Sequence, residues 1–392
     1  MKKHAYYLWI ILLLAACTDS RKEVKNRYYG KLIETKQLIS SGEKRFFLDT
    51  ETKAKPPYIQ VFTDKEGDRL LTFLNPRTNS IYFYNYSDTT CIKRIVFERE
   101  GANAVLSAAA YYIYSPDSIY LFNRPGMEIV LANSAGQVCN RLTLMDINDK
   151  EWGMHNPQYM FSTVVPLMMR GSSLLLPGMA PFPEILADRE NFHFTACLNL
   201  KPDQVEYRHT YPEELFGEGY NWGGDLLQLP YPAATPDGNM VHSFPCSHDL
   251  YISDRNGDVI EKTYGGGNKV KTIRPIDHKP VNTPDELIYM CYMEQDLYAA
   301  ILHDPFRKLY YRYCLHGIAD ATVTTPIDSK PLTIIVMDED FQYLGETEIG
   351  TGREWNWTNS FVTEEGLNIE RIGTSEEDDD YLTFGIFIPE DL

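Results

Sequence analysis

The chain has 392 residues and a formal net charge of −18, from 37 basic and 55 acidic side chains. So acidic a surface repels phosphate backbones, which argues against nucleic-acid binding, and it disfavours contact with anionic lipid headgroups. The chain holds 27 tyrosines and 18 phenylalanines, whereas long stretches of helical periodicity are scarce. This combination favours an all-β protein.

The first sixteen residues have the three parts of a bacterial secretory signal. Two lysines provide the positive start, an uncharged apolar run spans 5–14, and residues 14–17 read Leu-Ala-Ala-Cys. The apolar run is shorter than the ~20 residues that a membrane-spanning helix needs. Its ending has the lipobox pattern, in which the cysteine thiol takes a diacylglycerol before the peptide is cut. We therefore predict a signal peptide over 1–16 and a lipid anchor on Cys17.

Cleavage removes two lysines and no acid, so the net charge would move from −18 to −20. Electrostatic attraction would then give no second hold on the membrane, and the anchor on Cys17 would act alone. We expect residues 17–43 to form the lipidated cysteine and a spacer with a peripheral strand, and 44–392 to form the folded domain. Thr18, rather than aspartate, follows the cysteine, which favours the outer membrane of the cell envelope and leaves its face open.

Short apolar or alternating runs, separated by Gly, Asn, Asp and Pro turns, recur along the chain. They fall into six groups, at 69–99, 108–144, 162–211, 239–264, 297–349 and 360–388. Repeated small antiparallel sheets of this kind predict a six-bladed β-propeller. Residues 44–392 would provide about 58 residues per blade, more than the ~40–50 of common propeller repeats, so seven blades or two β-sandwiches remain alternatives.

Ring closure and one hairpin can be predicted in more detail. Residues 44–48, Lys-Arg-Phe-Phe-Leu, are a candidate strand that would pair with the C-terminal blade and so close the ring. Between two apolar runs, residues 254–258 contain Asn256-Gly257, the pair that a type I′ hairpin favours.

Several segments resemble an uncharacterised family of Bacteroidota lipoproteins with a six-bladed propeller-like fold. Besides the lipobox, they are GANAV (101–105), SPDSIYLFN (115–123), HDPFRKLYYRY (303–313), TEEGLNIERI (363–372) and YLTFGIFI (381–388). Because these segments span most of the mature chain, the resemblance implies the fold of the whole domain. It implies no activity and no catalytic residue.

Six cysteines would remain after lipidation of Cys17, and none forms a C-x-x-C pair. An exported protein can form disulfides. Three of these cysteines, Cys197, Cys291 and Cys314, lie in apolar, strand-like runs. Buried free thiols are therefore the preferred interpretation, with disulfides as the alternative.

The sequence contains few patterns that indicate catalysis or metal binding. The sequence has no G-x-S-x-G, H-E-x-x-H or phosphate-loop pattern, so no catalytic residue is predicted. Zinc could use His242, Cys246 and His248, which share one face of an extended strand, but Pro245 interrupts that strand. Calcium could use the acidic run 376–380, which we interpret as a solvated loop. No metal or cofactor is predicted.

The segment 303–307 reads His-Asp-Pro-Phe-Arg and precedes an aromatic strand. Asp304 is expected to cap the turn that contains Pro305, and Arg307 is expected to pair with an acid. A catalytic acid or base at this position is the alternative.

Four tryptophans remain after cleavage, and all fall in loop-like sequences before a predicted innermost strand. In a propeller, the connections between blades emerge on one face, around the mouth of the central channel. Exposed indoles are common at interfaces because they bury a large area and keep a polar N–H group. We therefore predict a binding rim of six aromatic residues: Trp152, Tyr159, Tyr220, Trp222, Trp355 and Trp357. The alternative is that these rings wedge between neighbouring blades.

These observations favour a lipid-anchored, non-catalytic propeller that binds a glycan, a peptide or a partner protein of the envelope. One alternative is an enzyme, a hydrolase or lyase that acts on sugars or lactones in the channel mouth, and it rests on the fold alone. The other alternative is a structural subunit of an envelope complex.

Overall fold

The computed structural model describes residues 22–392 except 53–55, 147, 202, 374, 376 and 377. The predicted signal peptide and Cys17 lie outside the described residues. Within this range the chain forms 26 strands and three short α-helices. None of the described helices is long and apolar enough to cross a membrane.

Two strands precede the first blade: β1 (Val24–Lys25) and β2 (Lys36–Phe47). Blades 1 to 3 are four-stranded antiparallel sheets of consecutive strands. Blade 1 comprises β3 (Ile59–Thr63), β4 (Arg69–Asn75), β5 (Ser80–Asn85) and β6 (Cys91–Val96). Blade 2 comprises β7 (Ala108–Ser115), β8 (Ser118–Asn123), β9 (Glu128–Ala132) and β10 (Val138–Thr143). Blade 3 comprises β11 (Met168–Arg170), β12 (Ser173–Pro177), β13 (His193–Leu200) and β14 (Asp203–Thr210).

The remaining three blades complete the ring. Blade 4 comprises β15 (Tyr231–Ala234), β16 (Met240–Ser243), β17 (Asp249–Ser253) and β18 (Val259–Tyr264), and the separate β19 (Thr272–Ile273) follows it. Blade 5 comprises β20 (Leu297–Asp304), β21 (Leu309–Leu315), β22 (Pro331–Asp338) and β23 (Tyr343–Thr351). Blade 6 comprises β24 (Trp355–Thr363), β25 (Gly366–Arg371), β26 (Tyr381–Asp391) and, as its fourth strand, β2. The prediction of six antiparallel blades is confirmed.

Helices occur only in the connections within the described chain. The α-helices are α1 (Trp152–His155), α2 (Glu213–Phe216) and α3 (Asp285–Glu294). Short 3₁₀ turns lie at Arg124–Gly126, Pro183–Asp188, Asp225–Leu227, Ile327–Ser329 and Asp378–Asp380. All three α-helices precede the first strand of a blade, so they lie on the face where successive blades are joined.

Burial follows the position of a strand within its blade. The first strands of neighbouring blades, such as β15 with β20 and β20 with β24, contact one another and form the inner ring. The second strand β4 is buried along nearly its whole length, whereas the fourth strand β6 is mostly exposed. Central strands covered on both faces read as continuous apolar runs, and outer strands need only one apolar face.

The ring closes through β2, which pairs antiparallel with β26 from Lys36–Asp391 to Phe47–Tyr381. This confirms the predicted pairing of residues 44–48 with the C-terminal blade. The strand begins at Lys36, however, earlier than predicted. The domain therefore extends into the segment that was predicted to be a spacer.

Residues ahead of β2 also belong to the folded body. Strand β1 pairs with β19, and the Asn26 side-chain amide donates to the carbonyl oxygens of Gly267 (2.8 Å) and Val270 (2.7 Å). Arg27 forms an ion pair of 2.9 Å with Asp249 of blade 4. The expectation for this segment was a spacer with a peripheral strand; the described residues from 22 onward do contain strands, and these contacts hold them to the propeller.

The 254–258 hairpin also differs from the prediction. A type I′ turn needs positive φ at both central residues, but only Gly257 has one, of +96°. The Asp254 carboxylate accepts from the backbone N–H groups of Asn256 (2.8 Å), Gly257 (3.0 Å) and Asp258 (3.1 Å). This capping by aspartate selects a longer loop than the two-residue hairpin.

The six described cysteines are free thiols. Cys197 and Cys314 are buried in strands, as predicted, and burial raises the pKa of Cys197 to about 11. Cys291 is half-buried and lies in α3 rather than in a strand.

Candidate functional site

A cavity of about 1090 Å³ lies at the mouth of the central channel. We call it the channel-mouth cavity. Its wall includes Pro57 ahead of blade 1, Arg124 of blade 2 and Phe161 ahead of blade 3. Tyr231 of blade 4, segments before and within blade 5, and β24 of blade 6 complete it. Residues of six blades and of the connections ahead of them can meet only near the axis. The volume is slightly above the ~300–1,000 Å³ typical of small-molecule sites.

Strand β24 supplies the centre of this wall through a bulge. Asn356 pairs with Glu370 and Ser360 with Ile369, so the residues between Asn356 and Ser360 have no partner in the ladder. The Ser360 hydroxyl holds the bulge by donating to the Trp357 carbonyl oxygen (2.8 Å). Bulges redirect side chains, and this one directs Trp357 and Thr358 to the cavity.

Aromatic rings form much of the wall: Phe161, Tyr231, Tyr289, Tyr292, Trp355 and Trp357. The Trp355 indole N–H donates to the Ile349 carbonyl oxygen (2.7 Å), and its ring centroid lies 5.2 Å from that of Phe387. The Trp357 ring meets Tyr231 edge-on at 5.9 Å between centroids. Both indoles are half-buried, so they are held in place and still present area to the cavity.

A polar network underlies the bulge. One carboxylate oxygen of Glu370, which is 1% exposed, accepts from the side-chain amides of Asn356 (2.7 Å) and Asn359 (2.6 Å). Thr358 donates to the Asn356 amide oxygen, and Thr163 donates to that of Asn359, both at 2.6 Å. These bonds fix the orientation of each amide, so the polar groups at the cavity floor are preorganised.

Lys330 lines the cavity but its ammonium group is already occupied. It donates to the carbonyl oxygens of Tyr292 (2.7 Å), Met293 (3.2 Å) and Gln295 (2.8 Å) at the end of α3. Burial lowers its pKa to about 8, and the carboxylate of Asp296 counteracts this. With three donors used, Lys330 anchors α3 and has no free N–H group for a ligand.

Of the six residues in the predicted binding rim, two line the channel-mouth cavity and four do not. Trp355 and Trp357 line the channel-mouth cavity, although they lie in β24 and not in a loop. Trp222 is only 1% exposed, and its indole N–H donates to the Leu215 carbonyl oxygen (2.7 Å). Its ring is also stacked on that of Tyr220 at 5.9 Å. Placing Trp222 on an exposed rim was therefore wrong.

The other half of the rim is also packed into the propeller. Trp152 and Tyr159 are 8% and 5% exposed and belong to the core that joins blades 1 to 3. Tyr220 is half-buried beside Trp222. None of these three lines the channel-mouth cavity. For Trp152, Tyr159 and Trp222 the alternative, that the rings wedge between neighbouring blades, is closer to the structure, because each ring packs in a core that several blades share.

The possible zinc ligands named from the sequence, His242, Cys246 and His248, do not converge on one point. His248 Nδ1 meets the Tyr298 hydroxyl (2.8 Å) and its Nε2 meets the Val24 carbonyl oxygen (3.1 Å), so both ring nitrogens are engaged. His242 packs instead against His209, with ring centroids 4.6 Å apart. In the described part of the chain, no group of three metal-ligating side chains could hold an ion.

Within the acidic run 376–380, Glu376 and Glu377 lie outside the described residues. Asp378 accepts from Arg45 (3.4 Å) and from the Ser375 hydroxyl (2.9 Å). The side chain of Asp378 is thus tied to the loop and to β2.

Asp304 has the turn-capping position predicted for it. It is fully buried and accepts from the backbone N–H groups of Phe306 (2.9 Å) and Arg307 (3.0 Å). It also accepts from the Arg307 guanidinium (3.1 Å) and the Tyr311 hydroxyl (2.8 Å). Arg307 in turn donates to the Thr363 carbonyl oxygen (3.2 Å), which links blades 5 and 6.

Sequence reasoning missed Tyr231, Tyr289, Tyr292 and the amide network of Asn356 and Asn359. A local signal exists for the network only. Residues 355–360, Trp-Asn-Trp-Thr-Asn-Ser, combine indoles with amides and hydroxyls in a strand, where apolar residues are the norm. The tyrosines come from blade 4 and α3, and nothing local to them indicates that they face the channel.

Comparisons with known proteins give a family but no activity. A model described as a domain of unknown function, DUF4221, matches residues 35–348, and a search of curated proteins finds no match. A crystal structure of a DUF4221 member from Bacteroides vulgatus is similar with a TM-score of 0.74 and 19% identity, covering 92% of this chain and 99% of that one.

A second solved structure, a Bacteroides fragilis protein whose export is inferred, has a TM-score of 0.51 and 9% identity, with coverages of 90% and 97%. A streptogramin B lyase has a TM-score of 0.42 and 10% identity, with coverages of 91% and 98%. At such identities the likeness to the two Bacteroides structures shows the fold alone, and the likeness to the lyase is too low to carry an argument. Because the family model covers well over half of the residues, this six-bladed propeller belongs to the DUF4221 family.

Proposed function

We propose that this protein is a non-catalytic binding module that takes a glycan in the channel-mouth cavity. The observation that carries the proposal is the bulge of β24, which presents the half-buried indole of Trp357 beside Tyr231 above a fixed network of amides. Aromatic walls combined with a few fixed polar groups are typical of small-molecule sites.

The chemistry of this wall fits a sugar ring better than a wholly apolar ligand. A pyranose has C–H groups on its faces, which pack on aromatic rings, and hydroxyls around its edge, which need donors and acceptors. The cavity offers the indole of Trp357 for the first and the Asn356 and Thr358 side chains for the second. The volume of about 1090 Å³ would accept an oligosaccharide rather than a single sugar.

The carboxylates and the lysine at the cavity support binding over catalysis. Glu370 accepts two amide donors, and the three Lys330 donors are used by backbone carbonyl oxygens. Asp328 forms an ion pair of 3.5 Å with Arg353. A general acid or base must exchange protons with its substrate, and these side chains already serve protein partners.

Titration with neutral and uronate-containing oligosaccharides should change the tryptophan fluorescence, because two of the four described tryptophans line the cavity. Replacing Trp357 with alanine is expected to weaken binding by about tenfold or more, since it removes an aromatic anchor. Met160→Arg should block the cavity with little risk to the fold, because Met160 is 37% exposed. Calorimetry would measure each affinity.

Tyr114→Ala is the matched control, because this ring is 63% exposed and is not part of the cavity wall. Equal affinities in wild type, Trp357→Ala and Met160→Arg would refute the proposal. Tight binding of tetrapeptides without any oligosaccharide binding would overturn the glycan class. Appearance of cleaved sugar products would instead favour the enzyme alternative, and stable co-purification with an envelope protein would favour a structural subunit.

We also propose that the propeller is tethered to the cell envelope by lipid on Cys17, in the outer membrane. The support is the three-part signal that ends in Leu-Ala-Ala-Cys. Mass spectrometry of the protein isolated from membranes is expected to find an acylated Cys17 at the mature N-terminus. An unmodified Cys17, or retention of residues 1–16, would contradict the anchor, and density-gradient fractionation would test the choice of membrane.

A further inference from the structure

A second cavity, of about 490 Å³, lies between blades 3 and 4 and shares no wall residue with the channel-mouth cavity. Blade 4 reaches the channel-mouth cavity through Tyr231 at the start of β15, and it reaches the second cavity through Ala234 at the end of that strand. Three arginines line the second cavity, Arg170, Arg208 and Arg255, so we call it the arginine cavity.

Arg170 is a group in this cavity whose donors are largely unused by the protein. Its Nε and Nη2 atoms are buried, and no hydrogen-bond acceptor among the described residues reaches either of them. Burial lowers the pKa of Arg170, and the nearby charges of Arg255 and Arg208 lower it further. A guanidinium with unused donors next to two like charges is costly in an unoccupied protein.

The acidic groups nearby are mostly engaged elsewhere. Glu206 accepts from Arg208 (2.7 Å), and Asp254 caps the turn that carries Arg255. Asp237 is bonded to the Thr235 hydroxyl and the Asn239 amide. The charge of Asp237 raises the pKa of Arg170, but by less than burial and the charges of Arg255 and Arg208 lower it. The cavity therefore keeps an excess of positive charge on a protein of net charge −18.

His209 provides a second, independent observation. It is 4% exposed and lines the cavity, yet neither ring nitrogen has a hydrogen-bond partner in the described chain. Burial, followed by the nearby His242 ring and Arg170, lowers its pKa well below the usual value, so the ring is neutral at neutral pH. A buried imidazole without partners costs stability that a ligand would restore.

The backbone at His209 adds to this cost. Its φ is +63°, a left-handed conformation that is uncommon for a residue other than glycine. The turn of blade 4 packs directly against it, since a Cβ atom added at Gly257 would lie 2.9 Å from the His209 backbone nitrogen. Residues held in such conformations are concentrated at ligand sites, where the surrounding structure imposes them.

We propose that the arginine cavity binds a small organic anion, with the Arg170 guanidinium and the His209 N–H group donating to its carboxylate or phosphate oxygens. A guanidinium matches such oxygens through parallel N–H donors. The cavity is larger than a bare ion needs, and the side chains of Met168, Met169 and Met240 offer apolar, adaptable surface to the rest of the ligand.

The test uses the full chain and two kinds of anion at constant ionic strength in chloride. Inorganic phosphate and glucose 6-phosphate form the phosphate arm, acetate and glucuronate form the carboxylate arm, and glucose is the uncharged reference. Saturable binding by calorimetry and a rise in Tm are expected with at least one arm and not with glucose. The arm that binds identifies the anionic group.

Arg170→Met is expected to weaken that binding by about tenfold or more, the loss of a charge-assisted pair of hydrogen bonds. The same variant should keep or raise the Tm of the unliganded protein, because it removes a half-buried charge with two buried nitrogens that lack a partner in the described chain. An arginine with a merely structural role would lower it. His209→Asn, which tolerates the left-handed backbone, should also weaken binding. Arg77→Met, an exposed arginine outside the cavity, is the matched control for charge.

Three results would overturn the proposal: no binding of any anion to the folded wild type, equal affinities in wild type and Arg170→Met, or a loss of affinity as large in Arg77→Met. Because the two cavities share no residue, the Trp357→Ala variant should bind the anion normally. A failure of glycan binding would therefore leave this inference intact.

Discussion

Replacing Phe46 with alanine is expected to lower the free energy of unfolding by about 3–5 kcal/mol. Phe46 is fully buried in the strand that closes the ring, and its ring lies 5.8 Å from Tyr84 of blade 1 and 6.0 Å from Phe384 of blade 6. The substitution therefore opens a cavity where the first and last blades meet. Chemical denaturation, followed by circular dichroism, would measure the loss.

Phe47 is a matched control one residue away. Alternate residues of a strand face opposite sides, and Phe47 is 58% exposed, with one edge-on contact to Tyr381 at 5.6 Å. Phe47→Ala should cost less than about 1 kcal/mol. Equal losses in the two variants would mean that β2 is not held by the packing between blades 6 and 1.

A second large effect is expected at Arg312, which is fully buried at the junction of blades 4 and 5. Its guanidinium donates to the Ser243 hydroxyl (2.9 Å) and to the carbonyl oxygens of Gly265 (3.0 Å) and Ser247 (2.8 Å). It also lies 3.9 Å from the centroid of the Tyr298 ring. Burial lowers its pKa to about 10, so it remains charged at neutral pH.

Arg312→Met should destabilise the protein by at least about 3 kcal/mol, because several buried carbonyl oxygens lose their donor. Thermal denaturation would detect this as a lower Tm. Arg353→Met removes an exposed arginine from the turn between blades 5 and 6, with its ion pair to Asp328, and should leave the Tm close to that of wild type. An unchanged Tm for Arg312→Met would mean that water or neighbouring donors replace the guanidinium.

Arg312 and Arg170 illustrate two uses of an arginine between neighbouring blades. All three nitrogens of Arg312 donate to protein oxygens, so this side chain joins two blades. Arg170 leaves two buried nitrogens without an acceptor among the described residues and faces a cavity. A lower Tm in Arg312→Met, together with an unchanged or higher Tm in Arg170→Met, would separate a structural arginine from a ligand-binding one.

The sequence by itself predicted an all-β fold, six blades as the preferred count over seven, and the closing pair of strands. These properties depend on short-range patterns: alternating or apolar runs of four to eight residues, the turns between them, and the strand at residues 44–48 that needs a partner. The attachment of the segment from Lys22 to Glu43 to the propeller was not predicted, because its contacts, such as Asn26 with Gly267, join residues far apart in the chain.

Only the tertiary structure decided which residues form the two cavities. Trp222 and Trp357 both lie in polar, aromatic sequences, yet the connection carrying Trp222 folds back onto the core, whereas the bulge of β24 directs Trp357 to the channel. Arg170, Arg208 and Arg255 come from separate turns and strands of blades 3 and 4. The physical reason is that periodicity determines which side of its own strand a residue occupies, whereas a site depends on where distant strands meet.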